Sequence, residues 1–326
     1  MKHKAEQLLA GLPGINKVEV QMTAEVRGQK EVRPIAPQVK HIVAVSSGKG
    51  GVGKSTATVN LAIALAQSGA KVGVMDCDVY GPDIPMMMGL RGEPETTSSK
   101  RLKPKERHGV QTMSLGYLLP EEKPVVWRGP MVHKLIEQFL ADVEWGALDY
   151  LLVDMPPGTG DAQLSLAQIV PLTGAVLVTT PQAVSAFDVG KAIGMFRQVN
   201  VPILGIVENM AGLVLSGSIE GCPAGGRLHF DTGLGRQSVQ VDAGGRFSTV
   251  IEVFGQGAAE TLAQKHNFPV LGRIPLEPAV RFGGDSGDPI TWSHPDSVVG
   301  QAFRRAAGHL AQRVAIREHA SLPILH

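Results

Sequence analysis

The segment Gly48-Lys-Gly-Gly-Val-Gly-Lys-Ser-Thr56 brings together the residue types that hold a polyphosphate. It fits the spacing G-x-x-x-x-G-K-[ST]. Gly48, Gly50, Gly51 and Gly53, with Val52 among them, let backbone N–H groups turn inward on anionic oxygens. A helix starting at Lys54 adds the positive end of its dipole. Lys54 is expected to bridge the β- and γ-phosphates of ATP, and the Ser55 hydroxyl to complete the shell of a Mg2+ ion; Thr56 closes the motif. Lys49 is a second lysine inside the loop, its other reading being a surface bystander.

Carboxylates follow at two later points. Asp76-Cys-Asp78 ends the apolar run Val72–Met75. Carboxylates at the carboxyl end of a strand suit contact with magnesium-bound water and orientation of an attacking water. Asp76 is the candidate for indirect magnesium binding and Asp78 for the water, the other reading being a capped turn. Leu151-Leu-Val-Asp154-Met-Pro-Pro-Gly158 is an apolar run ending in aspartate and a glycine-rich turn. Asp154 is expected on a magnesium-bound water. The Gly158 amide is expected to sense the γ-phosphate, so that losing it releases the loop. Asn209, closing the run Ile203–Val207, is a turn residue or a reader of the adenine edge, since a side-chain amide offers both donor and acceptor.

These groups need a frame that delivers them to one place. Ile42–Val45, Val72–Met75, Tyr150–Val153, Ala175–Thr179, Ile203–Val207 and Leu271–Ile274 are expected strands. Lys54–Gln67, Met131–Val143 and Asp188–Val199 are expected helices. Such alternation predicts an α/β fold, a mostly parallel sheet with helices on both faces. Val299, Phe303, Ala306, Leu310 and Val314 recur at helical spacing and read as a core-facing stripe. Residues 37–326 form the expected ATPase domain. Between about 211 and 252 it becomes glycine-rich, with Arg227–Asp231 and Ser238–Asp242 predicted as an inserted β-hairpin element. Residues 1–36 read as a prelude, with a helix over Lys4–Gly11, an alternating run over Lys17–Val26, and a linker marked by Pro34 and Pro37.

Composition narrows the partners. With 43% hydrophobic and 19% charged residues the chain is a folded one, and a net charge of +1 gives no field for nucleic acid or an anionic membrane. Aromatic residues, at 5%, are too few for base-stacking platforms. No apolar run nears the roughly 18 residues that span a bilayer. Arg317–His326 has no long basic amphipathic helix. Cys77 and Cys222 make no disulfide framework, and a cytoplasmic protein is expected.

Taken together, Ser47–Thr56, Met75–Pro85, Trp127–Met131, Trp145–Asp161, Gly205–Met210 and Ile274–Gly287 resemble the Mrp-type iron–sulfur cluster carriers, relatives of MinD and ParA. The resemblance runs from about His41 to Pro289, broken by the insertion. It implies a P-loop ATPase of the deviant Walker A type, in which Lys49 reaches across a homodimer to the partner's phosphates. It also implies that Pro275 lines the nucleotide site, and that the prelude is the tail of a small domain. Its function would be ATP-dependent carriage of a [4Fe-4S] cluster to apo client or scaffold proteins. Family members place a C-x-x-C pair soon after E-N-M. Cys222-Pro-Ala-Gly225 keeps the first cysteine alone, so a dimer offers two thiolates there, to be completed by His229, glutathione or a client. Other readings of the same scaffold are a MinD- or ParA-like positioning switch and an ATP-dependent chaperone without a cluster.

Overall fold

In the computed structural model, the described residues are 36–79, 81–118, 129–221, 225–233 and 235–320. The apolar runs form strands and the amphipathic segments between them form helices. In chain order these are β1 (Val39–Ser47), α1 (Lys54–Gln67), β2 (Val72–Asp76), α2 (Ile84–Met87), β3 (Lys105–Arg107) and β4 (Val110–Ser114). There follow α3 (Gly129–Asp142), β5 (Leu148–Asp154), α4 (Asp161–Ile169), β6 (Gly174–Thr179), α5 (Ala183–Gln198) and β7 (Ile203–Ser218). The remainder is β8 (Arg227–Thr232), β9 (Gly235–Gln240), β10 (Arg246–Ile251), α6 (Ala258–His266), β11 (Val270–Leu276), α7 (Pro278–Ser286), α8 (Ile290–Ser293) and α9 (Val298–Ala320).

One sheet runs β10-β7-β6-β1-β5-β2-β4-β3, with β11 also paired to β7. Its centre is parallel, β1 lying between β5 and β6. Successive residues of β1 point to opposite faces. Ile42 and Ala44 join Phe139, Leu166 and Phe196 of α3, α4 and α5 in one core. Val43 and Val45 join Leu61, Phe303 and Leu310 of α1 and α9 in the other. The doubly covered α/β sheet is therefore the one its apolar runs predict, and the six expected strands all lie in it. The stripe Val299, Phe303, Ala306, Leu310 and Val314 is buried as read.

Two outcomes differ from the sequence reading. β7 does not stop near Val207. Its first half lies between β6 and β11, and its second half pairs antiparallel with β10. Met210 and Gly212 take left-handed backbone angles, φ 57° and 90°, within that passage. The bend makes Glu-Asn-Met-Ala-Gly look like a strand end when it is a kink in a continuing one. In the glycine-rich stretch the hairpin is β8–β9, its second strand starting earlier than expected, and β10 was not foreseen. The readings over residues 1–35 and at Cys222 lie outside the described residues. No described helix is long and apolar enough to cross a membrane.

Candidate functional site

The first turn of α1 and the ends of β1, β2 and β5 converge on one buried carboxylate. Asp154 Oδ2 accepts from Lys54 Nζ and from Ser55 Oγ, both at 2.7 Å. Its other oxygen accepts from Thr58 Oγ1, also at 2.7 Å. Lys54, Ser55 and Thr58 share one face of α1 by the three- and four-residue spacing of a helix. Parallel pairing sets Asp76 directly beside Asp154. Asp78 Oδ2 lies 3.7 Å from Lys54 Nζ.

Three buried carboxylates thus face one buried lysine. Burial alone would lower the Lys54 ammonium, but Asp154, then Asp78 and Asp76, outweigh it and hold it above the ordinary lysine value. Burial, joined by the Asp154 charge, pushes Asp76 well above the usual carboxylate range, against a hydrogen bond from Ser114 and the pull of Lys54. An excess of buried negative charge lined with hard oxygen donors suits a divalent cation such as Mg2+. Among the described residues no three His, Cys, Asp or Glu side chains close around a metal ion.

The loop itself is held from both sides. A Cβ on Gly48 would lie 2.3 Å from the Asp188 carbonyl carbon of α5, and one on Gly53 would lie 2.2 Å from Asn209 Nδ2. Gly51 and Gly53 both have φ 80°, the left-handed region that glycine enters without penalty. Asn209 Nδ2 donates to the Val52 carbonyl at 2.9 Å, so the expected base reader also braces the loop. Pro275 is buried near the end of β11, one residue past the pairing of Ile274 with Asn209. The Gly158 amide donates to the Ser47 carbonyl at 3.2 Å, tying the turn after Asp154 to the root of the loop. Lys49 and Thr56 are half-buried, and Gly50 is exposed.

Of the expected residues, Lys54, Ser55, Asp76, Asp78 and Asp154 meet in one cluster, with Gly158 and Asn209 bound to the loop. Cys77 lies among them but is buried; burial, then the Asp76 and Asp154 charges, push its thiol well above the ordinary value, away from metal-binding thiolate.

Sequence reading missed Thr58, Ser114 and Gln163. Ser114 Oγ donates to Asp76 at 2.7 Å and itself accepts the Gly116 amide. Gln163 of α4 is buried; its Nε2 donates to the Pro156 carbonyl and, at 3.1 Å, to Ser46 Oγ, linking the turn after Asp154 to β1. Helical spacing from Lys54 could have found Thr58. Ser114 and Gln163 carry no local signal, because their partners are remote in sequence.

A family model, ParA: NUBPL iron-transfer P-loop NTPase, matches residues 38–223 and 243–311, and the gap in the match holds β8–β9. An iron-sulfur cluster carrier protein from Synechocystis is 45% identical over 95% of this chain and 82% of its own length. The iron-sulfur cluster transfer protein NUBPL of Mus musculus is 43% identical over 88% of this chain and 82% of its own. Among solved structures, a nucleotide-binding protein from Archaeoglobus fulgidus in complex with ADP is 37% identical, with a TM-score of 0.59, covering 77% of this chain and 88% of that one. The septum site-determining protein MinD of Pyrococcus horikoshii shares the fold at 21% identity and a TM-score of 0.59, covering 85% of this chain and 98% of its own. The chain belongs to the ParA-type family of NUBPL iron-transfer P-loop NTPases.

Proposed function

We propose that the chain is an ATP-hydrolysing carrier of iron–sulfur clusters that works as a nucleotide-switched homodimer. The observation that carries the hydrolytic half is the buried group of Asp76, Asp78 and Asp154 around Lys54 and Ser55, at the foot of a glycine loop. With ATP in the loop, Lys54 transfers its charge from Asp154 to the β- and γ-phosphate oxygens. Ser55, with Asp76 and Asp154, would hold a Mg2+ ion, which would supply positive charge against the phosphates. Asp78 orients the attacking water, and Lys49 of a second copy adds positive charge where the γ-phosphate departs. Asn209 and Pro275 flank the base. The Gly158 amide exchanges its Ser47 carbonyl for the γ-phosphate, and reverts when phosphate leaves.

Cargo binding is supported by family membership and by the names of the relatives. Cys222 of each copy supplies one thiolate, so the cluster needs a further ligand. His229, exposed on β8, or a client cysteine is suited to that place. Clients are apo iron–sulfur or scaffold proteins in the cytoplasm, and neither membrane nor nucleic acid is engaged.

Anaerobic reconstitution with iron and sulfide, beside Cys222→Ala, tests the cargo. Retained iron with visible charge-transfer absorption, lost in the variant, is expected. Intact hydrolysis with no retained iron would sink the carrier reading and favour a nucleotide switch or chaperone.

A further inference from the structure

We propose that the outer edge of β10 is a self-complementary docking edge, at which two copies of the chain join as antiparallel strands across a two-fold axis. The inference rests on the homodimer proposed above and specifies how the β arms of the two copies meet.

Leu213 of β7 pairs with Leu276 of β11 and with Ile251 of β10. A strand residue has one neighbour on each flank, so β10 lies opposite β11, on the flank where β6 ends at Thr179. Its free edge therefore overlooks the carboxyl end of the sheet, where the phosphate loop sits. A second copy facing Lys49 would face this edge as well. Among the described residues β10 ladders with β7 alone, and its outer edge is open beyond Arg246, whose carbonyl accepts the Asp242 amide and whose amide donates to the Asp242 carboxylate, both at 2.8 Å.

The two ends of the sheet treat their edges differently. At the far end β3 is short and carries Lys105 and Arg107, the usual means of discouraging strand addition. β10 reads Arg246-Phe-Ser-Thr-Val-Ile251, with neither lysine nor proline and a run of β-branched residues at its end. Val250 is 40% exposed. At the start of α5, on the same end of the sheet, Val184 and Phe187 are 66% and 70% exposed.

The sequence of β10 also matches itself. Centred on Thr249, antiparallel pairing sets Thr249 opposite Thr249, Ser248 opposite Val250, Phe247 opposite Ile251 and Arg246 opposite Glu252. Aromatic–β-branched and Thr–Thr pairs are favourable cross-strand neighbours, and opposite charges close both ends. A register moved by one residue along either strand's centre sets Arg246 or Glu252 against an uncharged residue. A two-fold contact needs this reciprocity, in which each residue meets the partner of its own partner. Arg246 is held by Asp242 at 3.3 Å, but both side chains are exposed and the charge is free to be shared.

Disulfide trapping tests the register in the full chain carrying Cys222→Ser, with Cys77 buried. Thr249→Cys is expected to form a covalent dimer under mild oxidant with Mg2+ and a non-hydrolysable ATP analogue. Cα atoms across an antiparallel pair lie about 4.5–5.5 Å apart, within disulfide reach. Ser248→Cys should trap poorly alone and well when mixed with Val250→Cys. Ser238→Cys, exposed on β9, sets the collision background, and equal trapping at positions 238, 248 and 249 overturns the proposal. Arg246→Glu should weaken the dimer about tenfold, and adding Glu252→Arg should restore it. Equal weakening by the single and double variants also overturns it. Sedimentation without oxidant separates the two readings. A nucleotide-dependent dimer that Thr249→Cys fails to trap sinks the β10 edge and spares the homodimer; a monomer under every condition sinks both.

Discussion

At the end of β5, three side chains of α1 share the buried carboxylate of Asp154. Along β8–β10, the ion pairs Asp231–Arg236 and Asp242–Arg246 join exposed partners on neighbouring or nearby residues. The first region spends desolvation energy to concentrate charge, and its contacts link elements about a hundred residues apart. The second is a local structure with half-buried apolar residues on one side of each strand. Buried charge that has lost its partner is costly, whereas exposed pairs contribute little. The contrast predicts that substitutions in the two regions will differ by an order of magnitude.

The largest effect is expected from Asp154→Ala. It leaves the Lys54 ammonium buried beside the weaker partner Asp78, removes the acceptor of Ser55, and leaves Thr58 with the Lys54 carbonyl alone. Loss of about 3–5 kcal/mol in urea unfolding is expected, together with loss of ATP hydrolysis. A variant as stable as the parent would show that relief of the Asp76–Asp154 repulsion compensates, and the contrast between the regions would collapse. Next comes Gln163→Ala, which strips the Pro156 carbonyl and Ser46 of their shared donor. About 1–3 kcal/mol of stability should go, and hydrolysis should fall more than ADP affinity, because the turn after Asp154 and not the loop glycines is freed. Equal losses in hydrolysis and ADP affinity would mean that Gln163 supports the whole phosphate end.

How legible these regions are in sequence follows the same division. Glycine spacing and the carboxylates at strand ends announced the phosphate loop, Asp76, Asp78 and Asp154, because those residues act within fixed motifs. The parallel sheet was legible because its buried strands are continuous apolar runs. Ser114 and Gln163 were not, since each works through a partner that only the folded sheet brings near. β7 beyond Asn209 was hidden for a backbone reason: left-handed angles at Met210 and Gly212 mimic a turn. β10 was hidden because Arg-Phe-Ser-Thr-Val-Ile lies among glycines and shows alternation only once β7 is known to run alongside it.

A smaller effect is expected at Asp242. Its carboxylate accepts the Arg246 and Gly244 amides at 2.8 Å, shaping the turn into β10. The Arg246 amide, ahead of the Gly244 amide and the Arg246 charge, holds its pKa below the usual value. Because the folded pKa is depressed, the turn's stabilisation is present above the ordinary carboxylate pKa and lost as pH falls through the folded one. Asp242→Ala should speed exchange of the Gly244 and Arg246 amides at neutral pH while leaving amides of β1 and β5 unchanged. Faster exchange at β1 would mean that arm and sheet open together.

The smallest effect, and the sharpest separation of the regions, belongs to removal of β8–β9. The Val241 amide donates to the Gly226 carbonyl at 2.8 Å, so the two ends of the hairpin already touch. Deleting Arg227–Gln240 and closing the gap with two glycines therefore requires no movement of β7 or β10. The deleted strands lie in the stretch that the family model skips, and none of their residues reaches the Asp154 cluster. ATP turnover should stay within about twofold of the parent, as excision of a surface element with adjoining ends allows. Iron retention is the informative second readout. If it falls with hydrolysis intact, His229 or its hairpin serves the cargo; if both persist, cluster holding depends on Cys222 and on groups outside the hairpin. A collapse of hydrolysis instead would show that the arm governs the phosphate end, against the independence inferred from their contacts.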